Sequence, residues 1–192
     1  MVCMEDDLSA ALVKALFDAR TQRRLSISAL AESSGVSRAM ISRVENAEAQ
    51  PSAALLGRLS GALGMTLSEL IAQAEGGYDR GARRSKQSVW TDPATGYTRR
   101  AVSQPSESPL ELVEVMLPPG AEVGYPADAY RFMDQVVWVL EGAVRITEGE
   151  EVHELSTGDC LRFGPPRDTD FANPTTVATR YLVALDKRVP RA

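Results

Sequence analysis

The chain has 192 residues, of which 44% are hydrophobic and 24% charged, so it is long enough for one large globular domain or two small ones. It has no apolar run near the roughly 20 residues that span a bilayer, and its N-terminus is acidic where a secretion signal needs a basic start. We therefore expect a cytoplasmic protein with no membrane partner. The two cysteines, Cys3 and Cys160, form no CxxC pair, which favours a reducing compartment without disulfides.

The formal net charge of −5 is unevenly distributed along the chain. Residues 1–74 carry 7 Lys and Arg against 8 Asp and Glu, residues 75–100 carry 6 against 3, and residues 101–192 carry 8 against 15. The acidic excess therefore lies in the C-terminal half. A pI near 5.0 argues against a protein that coats nucleic acid through its overall charge. It still allows binding of nucleic acid through a small local patch.

The first seventy residues have the hydrophobic period of α-helices. An apolar stripe over residues 8–19 predicts a first helix that starts after the acidic residues 5–7. Serine caps, a glycine stop, a proline start and a last apolar group delimit four more short helices. These signals are Ser26, Gly35, Ser37, Pro51, Leu67, Leu70 and Ile71. The pattern predicts a compact all-α domain of five helices over residues 1–74.

Residues 75–88, EGGYDRGARRSKQS, have glycines and charges but no apolar period, which is typical of a linker. Its basic residues, which we interpret as a solvated tether or alternatively as a phosphate-contacting arm, are Arg80, Arg83, Arg84 and Lys86.

From residue 89 onward the hydrophobic period falls to two residues and turn signals recur. DPATG, residues 92–96, is typical of a hairpin loop with a left-handed glycine. Further turns at LPPG, LEG and LSTGD separate the candidate strands LELVEVM, QVVWVL, AVRITE and ATRYLVAL. Many short strands at this spacing predict an antiparallel sandwich or barrel over residues 89–192. The chain is therefore predicted to have two domains of different class.

Residues 25–52, LSISALAESSGVSRAMISRVENAEAQPS, resemble the helix-turn-helix core of XRE-type, or lambda-repressor-like, DNA-binding proteins. The resemblance extends over roughly residues 8–74 and implies a five-helix bundle that lays its third helix in the major groove. By analogy with the family, base contacts come from Arg38, Ala39 and Arg43, and phosphate contacts from Ser26, Ser37, Ser42 and Asn46. Arg20 and Glu45 match a bracing pair rather than base readers. A bundle that only mediates protein contacts is the alternative.

Residues 89–187 resemble the cupin family of small antiparallel jelly-roll barrels. The family's first metal-binding motif, G-x5-H-x-H-x3,4-E-x6-G, places Gln135 at its glutamate when counted back from Gly142. Neither direction of counting supplies a histidine, since the candidate positions hold Pro126, Asp128, Ala129, Tyr130 and Arg131. The second motif, G-x5-P-x-G-x2-H-x3-N, fits residues 158–173 with its spacing intact and has Thr169 in place of its histidine.

A catalytic first-row metal needs imidazole or carboxylate donors that converge at roughly 2.0–2.2 Å. The replaced ligands do not provide such donors, and the one histidine, His153, lies in a hairpin where we expect it to be exposed. We therefore predict no metal and no other cofactor. We also predict no enzyme activity, because one histidine supports no nucleophilic triad.

Neutral hydrogen-bonding groups at the former metal site favour a small-molecule pocket with an apolar floor. The candidate pocket residues are Tyr130, Gln135, Val137, Arg162, Thr169 and Asn173. A barrel filled by its own side chains, which serves only to form a dimer, is the alternative. We expect Cys160 to be a packed core thiol.

Together, the two resemblances imply a transcriptional regulator that binds double-stranded DNA as a homodimer on a near-palindromic operator. Its barrel would sense a small-molecule effector and form the dimer. Two alternatives remain open at this point. One is a constitutive repressor or antitoxin-like protein with a purely structural barrel, and the other is a metal-independent cupin enzyme with a DNA-binding appendage.

Overall fold

The computed structural model describes residues 3–67, 69–70, 83–103 and 108–187, with residues 3–10 described by their backbone alone. Helices occupy the N-terminal part and two antiparallel sheets occupy the rest, which confirms a helical domain followed by a β domain. No helix in these ranges is long and apolar enough to cross a membrane.

Side-chain caps set the starts of the short helices. The hydroxyl oxygens of Ser26, Ser37 and Ser52 accept hydrogen bonds from backbone N–H groups three residues further on, at 3.1, 3.2 and 3.3 Å. Apolar side chains on the inner faces, among them Leu16 and Ile41, are fully buried and form one core. The helices are α1 (Cys3–Gln22), α2 (Ile27–Ser34), α3 (Arg38–Glu45) and α4 (Ala53–Ala62).

Two helix predictions need correction. The first helix begins at Cys3 and includes the acidic residues 5–7, because negative side chains in a first turn are stabilised by the helix dipole. The described residues contain four bounded α-helices rather than five. At the predicted fifth, Thr66 and Glu69 cap each other's N–H groups at 2.9 and 2.8 Å. Ile71 and the remainder of that prediction lie outside the described residues.

The strands predicted from the period of two are present. The strands are β1 (Val89–Thr91), β2 (Thr98–Ala101), β3 (Leu110–Leu117), β4 (Glu122–Tyr125), β5 (Met133–Glu141), β6 (Ala143–Glu148), β7 (Glu151–Ser156), β8 (Cys160–Arg162), β9 (Thr169–Ala172) and β10 (Thr179–Lys187). The four predicted segments correspond to β3, β5, β6 and β10. One sheet has the order β1-β2-β3-β10-β5-β8 and the other β4-β9-β6-β7, with every pairing antiparallel.

Strand alternation directs one face of each long strand into the barrel. On β5, Gln135, Val137 and Val139 are buried on one face while Trp138 is 48% exposed on the other. This arrangement confirms that Gln135 shares its face with the two valines. Cys160, in contrast, is exposed on the edge strand β8, so its prediction as a packed core thiol is wrong.

The predicted hairpin loop at residues 92–96 is confirmed and also contacts the helical domain. Gly96 has the left-handed φ of 72°, and its N–H donates to the Asp92 carbonyl at 2.9 Å. The buried Asp92 carboxylate accepts a hydrogen bond from the backbone N–H of Ala53 at 3.1 Å. A carboxylate at the first turn of α4 is favoured by the helix dipole.

Helix α4 packs directly on the barrel through its two glycines. A Cβ atom added at Gly57 would lie 2.7 Å from Cδ1 of Tyr125, and one added at Gly61 would lie 3.1 Å from the backbone of Ala129. Ala129 belongs to a 3₁₀ helix, Ala127–Tyr130, that follows β4. The absence of side chains on this face of α4 therefore allows its backbone to approach the barrel closely.

Polar contacts reinforce the same interface. Lys187 on β10 forms ion pairs with Glu69 at 2.8 Å and Glu111 at 3.0 Å, and the Thr66 hydroxyl donates to Glu111 at 2.9 Å. Burial lowers the pKa of Lys187, but its two carboxylate partners outweigh that effect and raise the pKa overall. Within the predicted linker, Arg84 pairs with Glu114 of β3 at 3.0 Å while most of its side chain stays exposed, so this arginine is attached to the barrel surface rather than to a free tether.

The interface predicts that a Gly→Ala change within α4 lowers the free energy of unfolding, whereas in most helices such a change raises it. In an exposed helix Ala is more favourable than Gly by about 1 kcal/mol, whereas the Cβ of Gly57→Ala overlaps the Tyr125 ring. We expect a loss of about 1–3 kcal/mol in the free energy of unfolding, measured by urea denaturation. Arg58→Ala, on the exposed side of α4, is the control and should change stability little. Equal or greater stability of Gly57→Ala would contradict this packing.

Candidate nucleic-acid interface and ligand cavity

Helix α3 presents a polar face to solvent and an apolar face to the core. Ile41 and Val44 are fully buried, whereas Arg38, Ala39 and Arg43 are exposed. A turn at Gly35, which has the left-handed φ of 66°, joins α3 to α2. These features form a helix pair whose second helix has a free outer surface.

The other residues predicted to contact phosphate lie at the ends of the same two helices. Ser26 and Ser37 are the exposed caps of α2 and α3, and each hydroxyl that accepts a cap hydrogen bond retains its own O–H as a donor. Asn46 is exposed at the C-terminal cap of α3, and Ser42 is half-buried on α3. The structure thus brings these side chains to α2 and α3, and their contact with DNA stays a prediction.

Arg20 forms the predicted brace with Glu45. Its Nε and Nη2 donate to the two carboxylate oxygens of Glu45 at 2.6 and 2.8 Å, and its Nη1 donates to the carbonyl of Leu25 at 2.8 Å. The hydrogen bond with Glu45 raises the pKa of Arg20. Because Arg20 is only 8% exposed, it fixes α3 against α1 and is not positioned to read bases.

The helical and β domains both line a cavity of about 50 Å³, here called the inner cavity. Its helical wall is formed by Gly57 and Ser60 of α4 and by Thr66 and Leu67, which follow that helix. Its β wall includes aromatic side chains that stack on one another, such as Phe171 and Tyr181 with ring centroids 5.9 Å apart. A molecule inside this cavity would therefore contact both domains.

A hydrogen-bonded chain crosses the inner cavity. Nη1 of Arg99 donates to the phenol oxygen of Tyr97 at 3.1 Å, and that oxygen lies 3.1 Å from the phenol oxygen of Tyr125. Burial raises the pKa of Tyr125 well above its usual value, so this phenol is neutral at physiological pH. Arg99 is half-buried as a residue, and its Nε has no access to solvent. The cavity therefore holds a guanidinium cation beside the phenols of Tyr97 and Tyr125.

Two buried polar atoms of the inner cavity have no hydrogen-bond partner in the protein: the phenol oxygen of Tyr130 and Nε2 of Gln135. Burial is the main cause of the raised pKa of Tyr130, while Thr169 and Gln135 lie near enough to lower it in part. Tyr130 is thus a neutral donor. Buried donors without partners are rare in folded proteins and mark sites completed by water or a ligand.

The same two residues, with Met133, also line an outer cleft of about 450 Å³. Most charges in this cleft are paired. Arg162 lies 3.9 Å from Asp134, and Arg167 forms an ion pair with Glu151 at 2.8 Å. The inner cavity and the outer cleft therefore meet at Tyr130, Met133 and Gln135.

The six predicted pocket residues are divided among three environments. Tyr130 and Gln135 border both spaces, whereas Arg162 and Thr169 line only the outer cleft. Val137 is fully buried and lines neither space. Asn173 is buried beside neither space, and its Nδ2 donates to the carbonyls of Leu117 and Val177 at 3.0 and 2.8 Å.

Sequence reasoning missed Tyr97, Arg99 and Tyr125. Tyr97 and Arg99 are two residues apart at the start of a short strand, a spacing that places both on one face. A polar pair on an inward face was the available signal, but it lies ahead of the residues that the family's metal motifs cover.

The residues at the former metal positions do not fit a divalent metal. Tyr130 and Gln135 are neutral, the Thr169 hydroxyl donates to the carbonyl of Arg167 at 3.1 Å, and a guanidinium shares the inner cavity. Over the described ranges, no group of three or more His, Cys, Asp and Glu could hold a metal ion. His153 is half-buried, with Nε2 3.3 Å from a Glu148 oxygen, so its predicted exposure is wrong. Pairing of β7 with β6 places it beside this buried glutamate.

Comparisons with known proteins agree with the two-part architecture. Residues 16–70 match the helix-turn-helix family HTH_3, and residues 99–185 match the cupin domain family Cupin_2. The chain therefore contains an XRE-type helix-turn-helix domain followed by a cupin domain that lacks the family's usual metal-ligand residues. No curated protein matches it in sequence.

Among solved structures, an HTH_3 family transcriptional regulator from Vibrio cholerae superposes with a TM-score of 0.79 at 23% identity, covering 96% of this chain and 99% of that one. The Cupin_2 domain of an XRE family transcriptional regulator from Enterobacter cloacae gives a TM-score of 0.38 at 17% identity, over 43% and 83% of the two chains. The iron protein FeII HppE gives 0.45 at 19% identity, over 92% and 98%. The first of these shows that the whole two-domain fold recurs in another protein.

The buried brace predicts a specific loss of stability. Arg20→Ala leaves the Glu45 carboxylate nearly buried without its cation, and we expect the free energy of unfolding to fall by about 3 kcal/mol. Urea denaturation measures this loss. Arg38→Ala, an exposed arginine of the same domain, is the matched control and should stay within about 0.5 kcal/mol of the parent. Equal stability of the two variants would contradict the bracing role.

Proposed function

We propose that the protein is a sequence-specific DNA-binding transcriptional regulator whose cupin domain senses a small molecule and forms a dimer. One observation carries the sensing part of this proposal, namely that the inner cavity has walls from both domains. A ligand there would contact the helical domain and the barrel at once. It would therefore favour the arrangement of the two domains in which those contacts are best.

The proposed recognition of DNA sequence relies on the outer face of α3. Arg38 and Arg43 are exposed on a short helix whose opposite face is buried, as insertion into a major groove requires. An arginine there can donate two hydrogen bonds to guanine O6 and N7. The N-terminal ends of α2 and α3, with their serine caps, suit phosphate oxygens.

The transmission of a ligand signal would pass through α4. This helix forms one wall of the cavity and contacts Tyr125 and Ala129 through its glycines. At the glycines the backbone of α4 lies in close contact with the barrel, so a displacement of the Tyr125–Tyr130 segment would move α4. Since α4 packs on α2, the displacement would reach the DNA-reading helix pair.

The proposed dimer draws support from the outer face of the six-stranded sheet. Met116 and Trp138 are 45% and 48% exposed on β3 and β5, the two strands that flank β10. Exposed apolar side chains on one face of a sheet are typical of protein interfaces. A two-fold dimer would present two copies of α3 to half-sites about 34 Å apart on a near-palindromic operator.

Loss of one base-reading arginine should weaken specific binding. We expect Arg43→Ala to reduce affinity for an operator selected from random double-stranded DNA by about 5- to 150-fold, which corresponds to about 1–3 kcal/mol. Fluorescence anisotropy at fixed salt measures it. The control is Arg58→Ala, which removes an equal charge from the exposed side of α4. If both variants lose affinity equally, Arg43 contributes charge and not base recognition.

A charge on the proposed dimer face should prevent association. We expect Trp138→Glu to shift the protein from dimer to monomer in sedimentation velocity, because a carboxylate replaces an apolar contact. Val152→Glu is the matched control, since Val152 is 57% exposed on the other sheet and should leave the dimer intact. A dimer that tolerates both substitutions would place the interface elsewhere.

A further inference from the structure

We propose that the junction of the inner cavity and the outer cleft binds the carboxamide group of a neutral small molecule. Tyr130 and Gln135 would donate hydrogen bonds to its carbonyl oxygen, and Thr169 and Glu148 would accept hydrogen bonds from its N–H₂ group. This inference deepens the proposed function, because it names the chemical class that the barrel senses. It rests on that function only for its consequence at DNA.

Two buried donors are the first support for a carbonyl oxygen. The phenol oxygen of Tyr130 and Nε2 of Gln135 have no access to solvent and no hydrogen-bond partner among the described residues. Both residues line the inner cavity and the outer cleft, so a ligand at the junction reaches both. A carbonyl oxygen has two lone pairs and can accept one hydrogen bond from each donor. The ligand would therefore satisfy two buried groups whose unpaired state is costly.

Two acceptors on neighbouring strands are the second support, and they call for a donor beside the carbonyl. The Thr169 hydroxyl donates its one proton to the carbonyl of Arg167 at 3.1 Å, so only its lone pairs remain for a ligand. Glu148 is the register partner of Thr169 in the pairing of β6 with β9, and both residues line the outer cleft. Directly paired residues direct their side chains to the same face of a sheet. An N–H₂ group at the junction would therefore meet two oxygen acceptors.

The charges of the outer cleft favour a neutral ligand over an anion. Its lining contains three arginines, each in an ion pair: Arg131 with Asp128 at 2.7 Å, Arg162 with Asp134 at 3.9 Å and Arg167 with Glu151 at 2.8 Å. The three arginine side chains are 46–75% exposed, where water screens their charge. Glu148, in contrast, is only 6% exposed. Its carboxylate would repel an anion at the junction more strongly than the screened pairs attract one.

Arg99 takes no part in the proposed contacts. It lines the inner cavity and not the outer cleft, and its Nη1 donates to the phenol oxygen of Tyr97 at 3.1 Å. Burial disfavours the charged form of Arg99, but Tyr97 and Tyr125 outweigh that effect and raise its pKa. The carboxamide site is therefore built from Tyr130, Gln135 and the two acceptors alone.

The two volumes determine where the body of the ligand lies. An aromatic ring needs a cavity of about 150 Å³, so the inner cavity of about 50 Å³ is too small for one, whereas the outer cleft of about 450 Å³ is large enough. Apolar surface in this cleft comes from Met133, Phe163, Pro165 and Pro166. The ring of Phe163 lies 6.2 Å from that of Tyr130, centroid to centroid. An apolar body would pack there with its carboxamide directed to the junction.

The test compares ligands that differ in one group beside the carbonyl. Benzamide, acetophenone and benzoate share a ring and a carbonyl and have N–H₂, CH₃ or O⁻ at the same position. Isobutyramide, methyl isopropyl ketone and isobutyrate form the same series with a smaller body. Each is titrated into the full chain at neutral pH and followed by NMR chemical shifts. We expect at least one amide to bind about 5-fold or more tightly than its ketone and its carboxylate, the effect of one hydrogen bond.

Two results of this titration would overturn the proposal. One is that neither amide binds. The other is that, in both series, the ketone or the carboxylate binds as tightly as the amide or more tightly.

Three variants assign the binding to named side chains. Tyr130→Phe and Gln135→Met each remove one donor at nearly constant volume, and each should weaken the preferred amide by about 5-fold or more. Glu148→Gln replaces the carboxylate by a neutral group and should reduce the preference for the amide over the carboxylate by a similar factor. Glu154→Gln, at an exposed glutamate of β7, is the matched control and should change neither quantity.

The variants also decide the outcome if one of them is unfolded. Unchanged amide affinity in both Tyr130→Phe and Gln135→Met overturns the proposal, and so does an unchanged preference in Glu148→Gln. If Glu148→Gln does not fold by circular dichroism, the other two variants decide the result.

A parallel measurement separates this inference from the proposed function. The amide of highest affinity is added to the protein bound to its selected operator, and anisotropy is recorded. Amide binding with unchanged operator affinity upholds the carboxamide site and contradicts sensing. Operator binding by a protein that does not prefer amides overturns the carboxamide site and leaves the recognition of DNA intact.

Discussion

The close packing of α4 on the barrel is the contact on which the rest of the account depends. Gly57 and Gly61 let the α4 backbone reach the Tyr125–Tyr130 segment, and the Asp92 carboxylate holds the N-terminal end of the same helix. The inner cavity exists because these two surfaces meet around it. A helix that belongs to a DNA-reading fold thus also forms one wall of a candidate ligand site. Larger side chains at either glycine would separate the domains and open the cavity.

Much of the fold follows from local sequence signals. The serine caps, the glycine turn at residue 35 and the period-two strands each depend on a few neighbouring residues, and the structure contains all of them. The predictions that failed depended on distant contacts. Cys160 is exposed because β8 is an edge strand, and His153 is half-buried because β7 pairs with β6. Neither arrangement can be read from the residues that surround these positions in sequence.

The sequence predicted only part of the candidate ligand site, because the remainder also depends on distant contacts. Tyr130 and Gln135 were found because the cupin motifs assign them positions, and both lie at the junction of the inner cavity and the outer cleft. Arg99 on β2 and Tyr97, which directly precedes β2, lie ahead of those motifs and join the site through sheet pairing of β2 with β3. Metalloenzyme cupins have anionic and imidazole donors around a cation, whereas this lining combines the Arg99 guanidinium with phenol and amide side chains.

The central claim is that the cavity and the DNA-reading helices are energetically coupled, and linkage provides its most direct test. If a ligand of the inner cavity changes operator affinity by some factor, the operator must change the affinity for that ligand by the same factor. The measurement is calorimetric titration of that ligand into the free protein and into the operator complex. Energetic coupling predicts dissociation constants that differ by about 5- to 150-fold, the usual range of such coupling. Identical dissociation constants in the two titrations would contradict it.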